Sequence, residues 1–167
     1  MNTFPETDVD SLDPKNRGQI IDMARQLLKG NNPGILSTVD QSGFPQSRWM
    51  ATMSFDDFPD IYTLTSATSR KVAQIQEHPI VHWMFSSQDL SFIVNLTGRA
   101  EIYLHEADAM KRIWHQIVDK SRAFFLGDSA KGPGFVVIHT KVEMIECTIP
   151  RKVLRISLDP AEMGRDC

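Results

Sequence analysis

The 167-residue sequence predicts an α+β fold, in which an antiparallel β-barrel of six to seven strands carries an N-terminal helix and two inserted helices. Short segments with alternating apolar and polar residues, typical of half-buried strands, occupy most of the chain. Short turn-forming segments join most neighbouring strands, which favours antiparallel pairing. Closure into a barrel removes the exposed edges that such strands would otherwise present.

Composition and charge limit the classes of function. Hydrophobic residues make up 41% and charged residues 23% of the chain, as in an ordinary globular domain. The formal net charge of -3 argues against general binding to nucleic acids or anionic membranes. No apolar segment approaches the roughly 18 residues of a membrane span, and the acidic N-terminus does not resemble a secretory signal. With only two cysteines, Cys147 and Cys167, we expect free thiols and a cytoplasmic location.

The pattern predicts one domain over residues 14–158, with a flexible tail over 1–13 and a C-terminal tail over 159–167. The domain opens at Asp13-Pro14, a capping side chain followed by the residue best suited to the first helical position. Apolar residues follow at helical spacing up to Gly30: Ile20, Ile21, Ala24, Leu27 and Leu28. The first element is therefore an amphipathic helix that packs on the barrel.

The strands follow in hairpin order. Their predicted ranges are 34–39, 44–54, 61–65, 80–85, 92–104, 135–147 and 153–158. In the second strand, Gln46, Arg48, Met50 and Thr52 share one face, because side chains alternate. In the fifth strand, Gly98 marks a bulge or bend.

Two helices interrupt the strands. Thr68 or Ser69 caps a short helix that ends before His78-Pro79. A second helix is predicted over residues 106–118, and residues 120–133 form an irregular connection.

Two groups of cations indicate an anion site. Ser69, Arg70 and Lys71 stand where a strand passes into a helix, whose N-terminus offers unpaired N–H groups and a partial positive charge. A hydroxyl, a guanidinium and an ammonium together would hold a phosphate dianion. Arg48 lies within an otherwise uncharged strand, where a cation either reaches solvent or meets an anion. Solvated surface cations remain the alternative interpretation of both groups.

In order along the chain, these features resemble one family. Residues 36–45 form a strand and turn, and Arg48, Leu64-Thr65, Ser69-Arg70-Lys71 and His78-Pro79 follow. This order is similar to that of the pyridoxamine 5′-phosphate oxidase-like FMN-binding split barrels. The N-terminal helix and the segment 98–101 resemble the general stress protein branch of that family.

The resemblance implies a cofactor, a site and an assembly. Arg48, Ser69, Arg70 and Lys71 would bind the phosphate of FMN. Further contacts with the cofactor are implied for Trp49, Met50, Ala51, Leu64 and Thr65. Family members are typically homodimers with FMN between the subunits, and they act on a small-molecule substrate or a nicotinamide electron donor. The expected function is therefore that of an FMN-dependent oxidoreductase.

The departures from the family leave alternatives open. Residues 149–158 lack the C-terminal tryptophan and the Arg-x-His segment of the oxidases proper, and Ile93 stands near where a glutamine is expected. Pyridoxamine phosphate oxidation is therefore not the expected reaction. A flavin-binding or flavin-sensing protein without turnover, a deazaflavin or haem binder, and a barrel with an empty groove are the alternatives. No metal site is predicted, because the five histidines are scattered along the sequence.

Overall fold

A computed structural model describes residues 9–13, 15–29, 32–104 and 134–164. The elements follow in the order α1 (Arg17–Lys29), β1 (Gly34–Val39), β2 (Pro45–Met50), β3 (Ile61–Ser66), α2 (Arg70–Glu77), β4 (Ile80–Ser86), β5 (Ile93–Leu104), β6 (Phe135–Ile149), β7 (Leu154–Leu158) and α3 (Pro160–Met163), with short 3-10 turns at Val9–Ser11 and Pro150–Lys152. The helix predicted over 106–118 and the connection over 120–133 lie outside the described residues.

The seven described strands form one antiparallel sheet, and six of them follow the order β2-β1-β4-β5-β6-β3. The long strand β6 pairs with β3 through residues 135–140 and with β7 through residues 145–149, so β3 and β7 share one edge of β6. Beyond β2, Met53 forms a two-residue bridge with Tyr62 of β3, which joins the two ends of the path. The predicted α+β split barrel with antiparallel strands is confirmed.

The second predicted strand is wrong at its C-terminal end. The prediction ran to residue 54, whereas β2 ends at Met50 and only Met53 pairs further on. Residues 45–50 do alternate between exposed and half-buried, with Arg48 on the half-buried side. The chain leaves the edge of β1 after Met50 because it crosses to β3 to close the barrel.

The predicted start of α1 is also wrong. The helix begins at Arg17, and Asn16 caps it, since Asn16 Oδ1 accepts a hydrogen bond from the Gln19 backbone N–H at 3.2 Å. Asp13 Oδ1 accepts instead from the Lys15 N–H at 2.9 Å. The predicted apolar face is correct, because Ile20, Ala24, Leu27 and Leu28 are buried in the main core.

The buried residues extend past both predicted domain limits. Val9 and Leu12 precede residue 14 and lie in the core. Met163 of α3 lies there too, and α3 is held by a capping box at Asp159 and by an ion pair between Arg17 and Glu162 at 2.8 Å. Among the described helices, none combines the length and apolar character that crossing a membrane requires.

The core has a main part and a smaller part on opposite sides of the sheet. The main part fills the barrel, where Trp83 is fully buried and its Nε1 donates to Thr140 Oγ1 at 3.1 Å. The smaller part is built from Met53, Tyr62 and Val137, with Leu64 and Tyr103 packed against it. Side chains of β3 thus contribute to packing on both faces.

Candidate functional site

The side chain of Arg48, on β2, forms hydrogen bonds to β1 and to α2. Its Nη1 donates to Thr38 Oγ1 at 2.6 Å and to the Leu36 carbonyl at 3.4 Å, and its Nη2 donates to Gln74 Oε1 at 3.4 Å. Thr38 Oγ1 in turn donates to Gln74 Oε1 at 2.6 Å. The partners that the described residues supply to this guanidinium are all neutral, so they orient the charge without neutralising it.

The end of β3 and the start of α2 bring Lys71 to two hydroxyls. Lys71 Nζ donates to Thr65 Oγ1 at 2.9 Å, and Thr65 Oγ1 lies 3.3 Å from Ser69 Oγ. Ser69 occupies the N-cap position of α2 in an extended conformation, but its hydroxyl does not bond to the helix backbone. The predicted N-terminus of α2 is therefore correct, while the hydroxyl of Ser69 faces Thr65 rather than capping the helix.

We call Arg48, Arg70 and Lys71 the cation cluster, and the pKa values of two of them, Arg48 and Lys71, are lowered. Burial lowers the pKa of Arg48, and the charge of Arg70 lowers it further. Burial also lowers the pKa of Lys71, with added contributions from Arg48 and Arg70. Within the described part of the chain, no carboxylate forms an ion pair with any of the three. The arrangement holds uncompensated positive charge, which an anion would stabilise.

Two further predicted site residues follow Arg48 with their side chains in different places. Trp49 points to the face of β2 opposite Arg48 and is 64% exposed. Met50 is half-buried and packs against the main core. Neither side chain joins the cation cluster.

The other two predicted residues are Ala51 and Leu64. The Ala51 carbonyl accepts a hydrogen bond from Thr63 Oγ1 at 2.7 Å. Leu64 packs against the smaller core, on the face of β3 opposite Thr65. Thus Thr65 reaches the cation cluster, whereas the side chain of its neighbour Leu64 does not.

A groove with a volume of about 650 Å³ lies on the outer face of β4, β5, β6 and β7. Its walls include His82, Asn95, Thr97 and Glu146. Burial lowers the pKa of His82, and Glu146 partly opposes that effect. None of the residues predicted to bind the cofactor lines this groove, so it is separate from the cation cluster.

A group of acidic and imidazole side chains was not found by sequence reasoning. Asp57, Asp60 and His139 offer ligand atoms that all lie within 4.8 Å of one another. Tyr62 donates a hydrogen bond to Asp57, and its ring stacks on that of His139. Burial and the Asp57 carboxylate raise the pKa of Tyr62, so the phenol stays a donor. The sequence signal is weak, because 79 positions separate Asp60 from His139 and only the β3–β6 register joins them.

The fold and the matching sequence pattern define a split-barrel protein of the pyridoxamine phosphate oxidase type. A sequence model described as "Pyridoxamine 5′-phosphate oxidase" matches residues 20–148. The chain therefore belongs to the pyridoxamine 5′-phosphate oxidase family. It is 28% identical to General stress protein 26 of Bacillus subtilis (strain 168) over 147 residues, which cover 86% of this chain and 99% of that protein.

Solved structures share the fold across different functions. A Clostridium acetobutylicum protein related to general stress protein 26 superposes with a TM-score of 0.70 at 16% identity, covering 91% of this chain and 99% of that one. An F420 reductase gives 0.57 at 19% identity, covering 72% and 94%. A haem-binding protein of Mycobacterium smegmatis gives 0.69 at 16% identity, covering 87% and 60%. The fold alone therefore does not specify the cofactor.

Proposed function

We propose that this protein binds FMN and that the cation cluster holds the phosphate. The observation that carries the proposal is the convergence of Arg48, Arg70 and Lys71 with no paired carboxylate among the described residues. Three like charges repel one another, and two of them are partly desolvated. A phosphate dianion would relieve both costs at once.

The donors fit a phosphate monoester. Arg48 and Arg70 each present a planar fork suited to two phosphate oxygens, and Lys71 adds a point charge. Ser69 Oγ lies at the N-terminus of α2 without a bond to the helix, so it can turn to an anion there. Thr65 Oγ1 already accepts from Lys71 and holds the ammonium beside the strand end.

The flavin ring would lie along the chain that follows Arg48, over Trp49, Met50 and Ala51, and near Leu64 and Thr65. Contacts with the ring there would be mainly through the backbone. FMN supplies two-electron redox chemistry, while the protein supplies binding, orientation and electrostatics. We propose a flavin-dependent oxidoreductase that acts on a small-molecule substrate, with a nicotinamide as electron donor.

We further propose a homodimer in which the partner subunit completes the cofactor site. The outer face of the sheet carries a continuous row of side chains, from Trp49 through Ile35, Met84 and Asn95 to Glu146, in register across five strands. Trp49 is 64% exposed at one end of the row, and the 650 Å³ groove lies at the other. A large exposed aromatic beside half-buried apolar residues is typical of an interface core.

The two cofactor alternatives make different demands on the residues. Haem would need an axial histidine that faces the cleft. A deazaflavin would need a longer groove for its tail. A flavin-binding protein without turnover uses the same phosphate contacts, so only kinetics separates it from the oxidoreductase.

The first test is the visible spectrum of the purified protein, followed by a titration with FMN and identification of any released chromophore. A flavin spectrum, or saturable uptake of added FMN, is the expected result. Uptake of haem or deazaflavin in preference to FMN would replace the proposed cofactor. A colourless protein that takes up none of them would refute the proposal.

Replacing Arg70 with alanine should weaken FMN binding by roughly ten- to a hundredfold, because it removes a charged hydrogen bond worth about 1.5–3 kcal/mol. Riboflavin lacks the phosphate, so its affinity should barely change. Arg99→Ala is the matched control, since Arg99 is an exposed arginine on β5 outside the cluster. Equal losses for FMN and riboflavin, or an equal effect of Arg99→Ala, would contradict the assignment.

Turnover is tested by mixing the FMN-loaded protein anaerobically with NADH or NADPH. Bleaching of the flavin absorbance is expected for an oxidoreductase. If FMN binds as described and neither nicotinamide bleaches it, the protein is a flavin-binding or flavin-sensing protein with respect to these donors. Phosphate binding and electron transfer are thus judged by separate measurements.

A further inference from the structure

A second group of polar side chains, two carboxylates and an imidazole, lies on the outer face of β3 and β6. Asp57 and Asp60 belong to the turn that precedes β3, where the Asp60 N–H donates to the Asp57 carbonyl at 3.1 Å. His139 lies on β6 directly opposite Tyr62 of β3. His139 Nε2 is 2.8 Å from Asp60 Oδ2 and 3.9 Å from Asp57 Oδ2. Two carboxylates and an imidazole therefore converge on one point.

Neighbouring groups hold each of these side chains in place. The Val142 backbone N–H donates to Asp60 Oδ1 at 3.1 Å, which leaves Oδ2 directed at His139. Tyr62 donates to Asp57 Oδ2. The Tyr62 ring lies parallel to the His139 ring, with 4.3 Å between centroids and 2° between planes. Such outer contacts are the kind that orient metal ligands in proteins.

Among the described residues, no basic side chain balances the charge of the group. Within the described residues, neither aspartate forms an ion pair with lysine or arginine. The side chain of Asp60 is only 15% exposed and that of His139 17%, while Asp57 remains 45% exposed. Buried carboxylates are usually paired with cations or bound to metals, because an unpaired charge is costly to bury. One imidazole is a weak counterpart to two carboxylates.

We propose that Asp57, Asp60 and His139 form a binding site for one divalent transition-metal ion of the zinc class. Imidazole favours Zn²⁺ and its neighbours over Mg²⁺ or Ca²⁺, and carboxylate oxygens complete a mixed N/O set. Tetrahedral ligands with bonds of roughly 2.0–2.2 Å lie about 3.3 Å apart. The observed separations of 2.8 and 3.9 Å from His139 Nε2 fall on either side of that spacing, and all three ligand atoms lie within 4.8 Å of one another. The exposed side at Asp57 leaves a position for water.

The competing interpretation is an Asp60–His139 ion pair that only fastens β3 to β6. For that role, the 2.8 Å contact between the side chains of Asp60 and His139 is sufficient, and Asp57 has no function. A metal site, in contrast, requires Asp57 as well. The two interpretations therefore differ in what substitution of Asp57 does to metal affinity.

The test is a calorimetric titration of the full chain, freed of metal with a chelator, with ZnCl₂. Saturable binding of one ion per chain, together with a rise in the unfolding temperature, is expected. His139→Gln and Asp57→Asn should each weaken binding by more than about a hundredfold, since loss of an outer contact alone costs ten- to a hundredfold. Tyr62→Phe, which keeps the ring and removes the hydroxyl, should weaken zinc binding by only about ten- to a hundredfold.

Two controls show where the zinc binds. His82→Gln changes a half-buried histidine on β4, outside the group, and should leave the affinity unchanged. Cys167→Ser removes an alternative zinc ligand and should leave the stoichiometry at one. Absence of saturable binding would overturn the proposal, as would wild-type affinity in Asp57→Asn and His139→Gln. Because Asp57 is the most exposed member, its variant remains informative even if His139→Gln does not fold.

Discussion

Lys71 is the residue whose protonation decides how strongly the cation cluster attracts an anion. Burial and the charges of Arg48 and Arg70 lower its pKa from the usual 10.5. A lowered pKa means that the free protein gives up this proton at lower pH than an ordinary lysine would. A bound phosphate dianion favours the protonated form, so ligand binding and proton binding are linked.

FMN affinity should therefore decrease as pH rises, and the decrease should begin below the pH at which an ordinary lysine titrates. The phosphate is dianionic from neutral pH upward, so affinity is highest where Lys71 is still protonated. As pH passes through the lowered pKa, the free protein loses the Lys71 charge and binding weakens. Fluorescence titrations with FMN between pH 7 and pH 10 measure the profile.

Lys71→Arg is the matched control for this pH dependence. Arginine keeps its charge throughout that range, so the variant should bind FMN with an affinity that falls much less with pH. Ionisation of the flavin itself would act equally on both proteins. If the FMN affinities of the two proteins fell equally with pH, the loss of affinity would not come from deprotonation of Lys71.

At the residue scale, the sequence predicts the local parts of the site better than the distant ones. Ser69, Arg70 and Lys71 are adjacent, and the start of a helix is readable from composition alone. The tie from Arg48 to Gln74 depends on how α2 packs against β1 and β2. No local pattern encodes such packing, because it arises from the sheet order.

At the element scale, one irregularity decides which side chains of β6 enter the barrel. Thr97 of β5 pairs with Met144 and Gly98 pairs with Val142, so Glu143 has no partner on β5. On the C-terminal side of the bulge, the residues of β6 that enter the barrel are Ile145 and every second residue after it. On the N-terminal side, they are Val142 and every second residue before it. Without this bulge, half of β6 would present the wrong face to the core.

Gly98 allows the bulge because nothing larger fits. A Cβ atom at this position would lie 2.1 Å from the Lys141 carbonyl oxygen, which is backbone and cannot rotate away. Gly98→Ala should lower the free energy of unfolding by about 1–3 kcal/mol, the usual cost of overpacking. Urea denaturation measures the loss.

Gly18→Ala is the control for that substitution. Gly18 lies in the first turn of α1, where an added Cβ would meet only Asn16 Oδ1, at 3.4 Å. Alanine is the better helix former, so stability should stay the same or rise slightly. A loss in Gly98→Ala no larger than the effect in Gly18→Ala would mean that β6 can shift to accept the methyl group.

Sequence patterns predict the elements well and their ends less well. Strand β1 matches its predicted range of 34–39, and the bulge at Gly98 was expected from its glycine. The end of β2 and the start of α1 were missed. At β2, the alternation of side chains continues past Met50, where the pairing with β1 ends. At α1, two residues with capping side chains, Asp13 and Asn16, stand close together, and the second one caps the helix.

At the scale of the whole molecule, barrel closure leaves the outer row from Trp49 to Glu146 as a broad surface. The bridge between Met53 and Tyr62 closes the barrel, and the sheet then curves so that this row faces outward. Trp49 is the largest side chain in the row and is mostly exposed. The proposed dimer therefore places this tryptophan at the subunit contact.

Trp49→Glu should weaken the dimer by at least about 2 kcal/mol, roughly thirtyfold in its Kd, because it removes an aromatic anchor and introduces a charge into an apolar contact. Sedimentation velocity over a range of concentrations measures the change. FMN affinity should fall as well, because the flavin ring is proposed to lie over Trp49 and the partner subunit to complete the site. Phe44→Glu is the matched control, since Phe44 is equally exposed, at 66% against 64%, but lies in the turn before β2 rather than in the outer row. A wild-type protein that stays monomeric at micromolar concentration with FMN bound, or a Phe44→Glu variant as disruptive as Trp49→Glu, would assign the exposed tryptophan a role other than subunit contact.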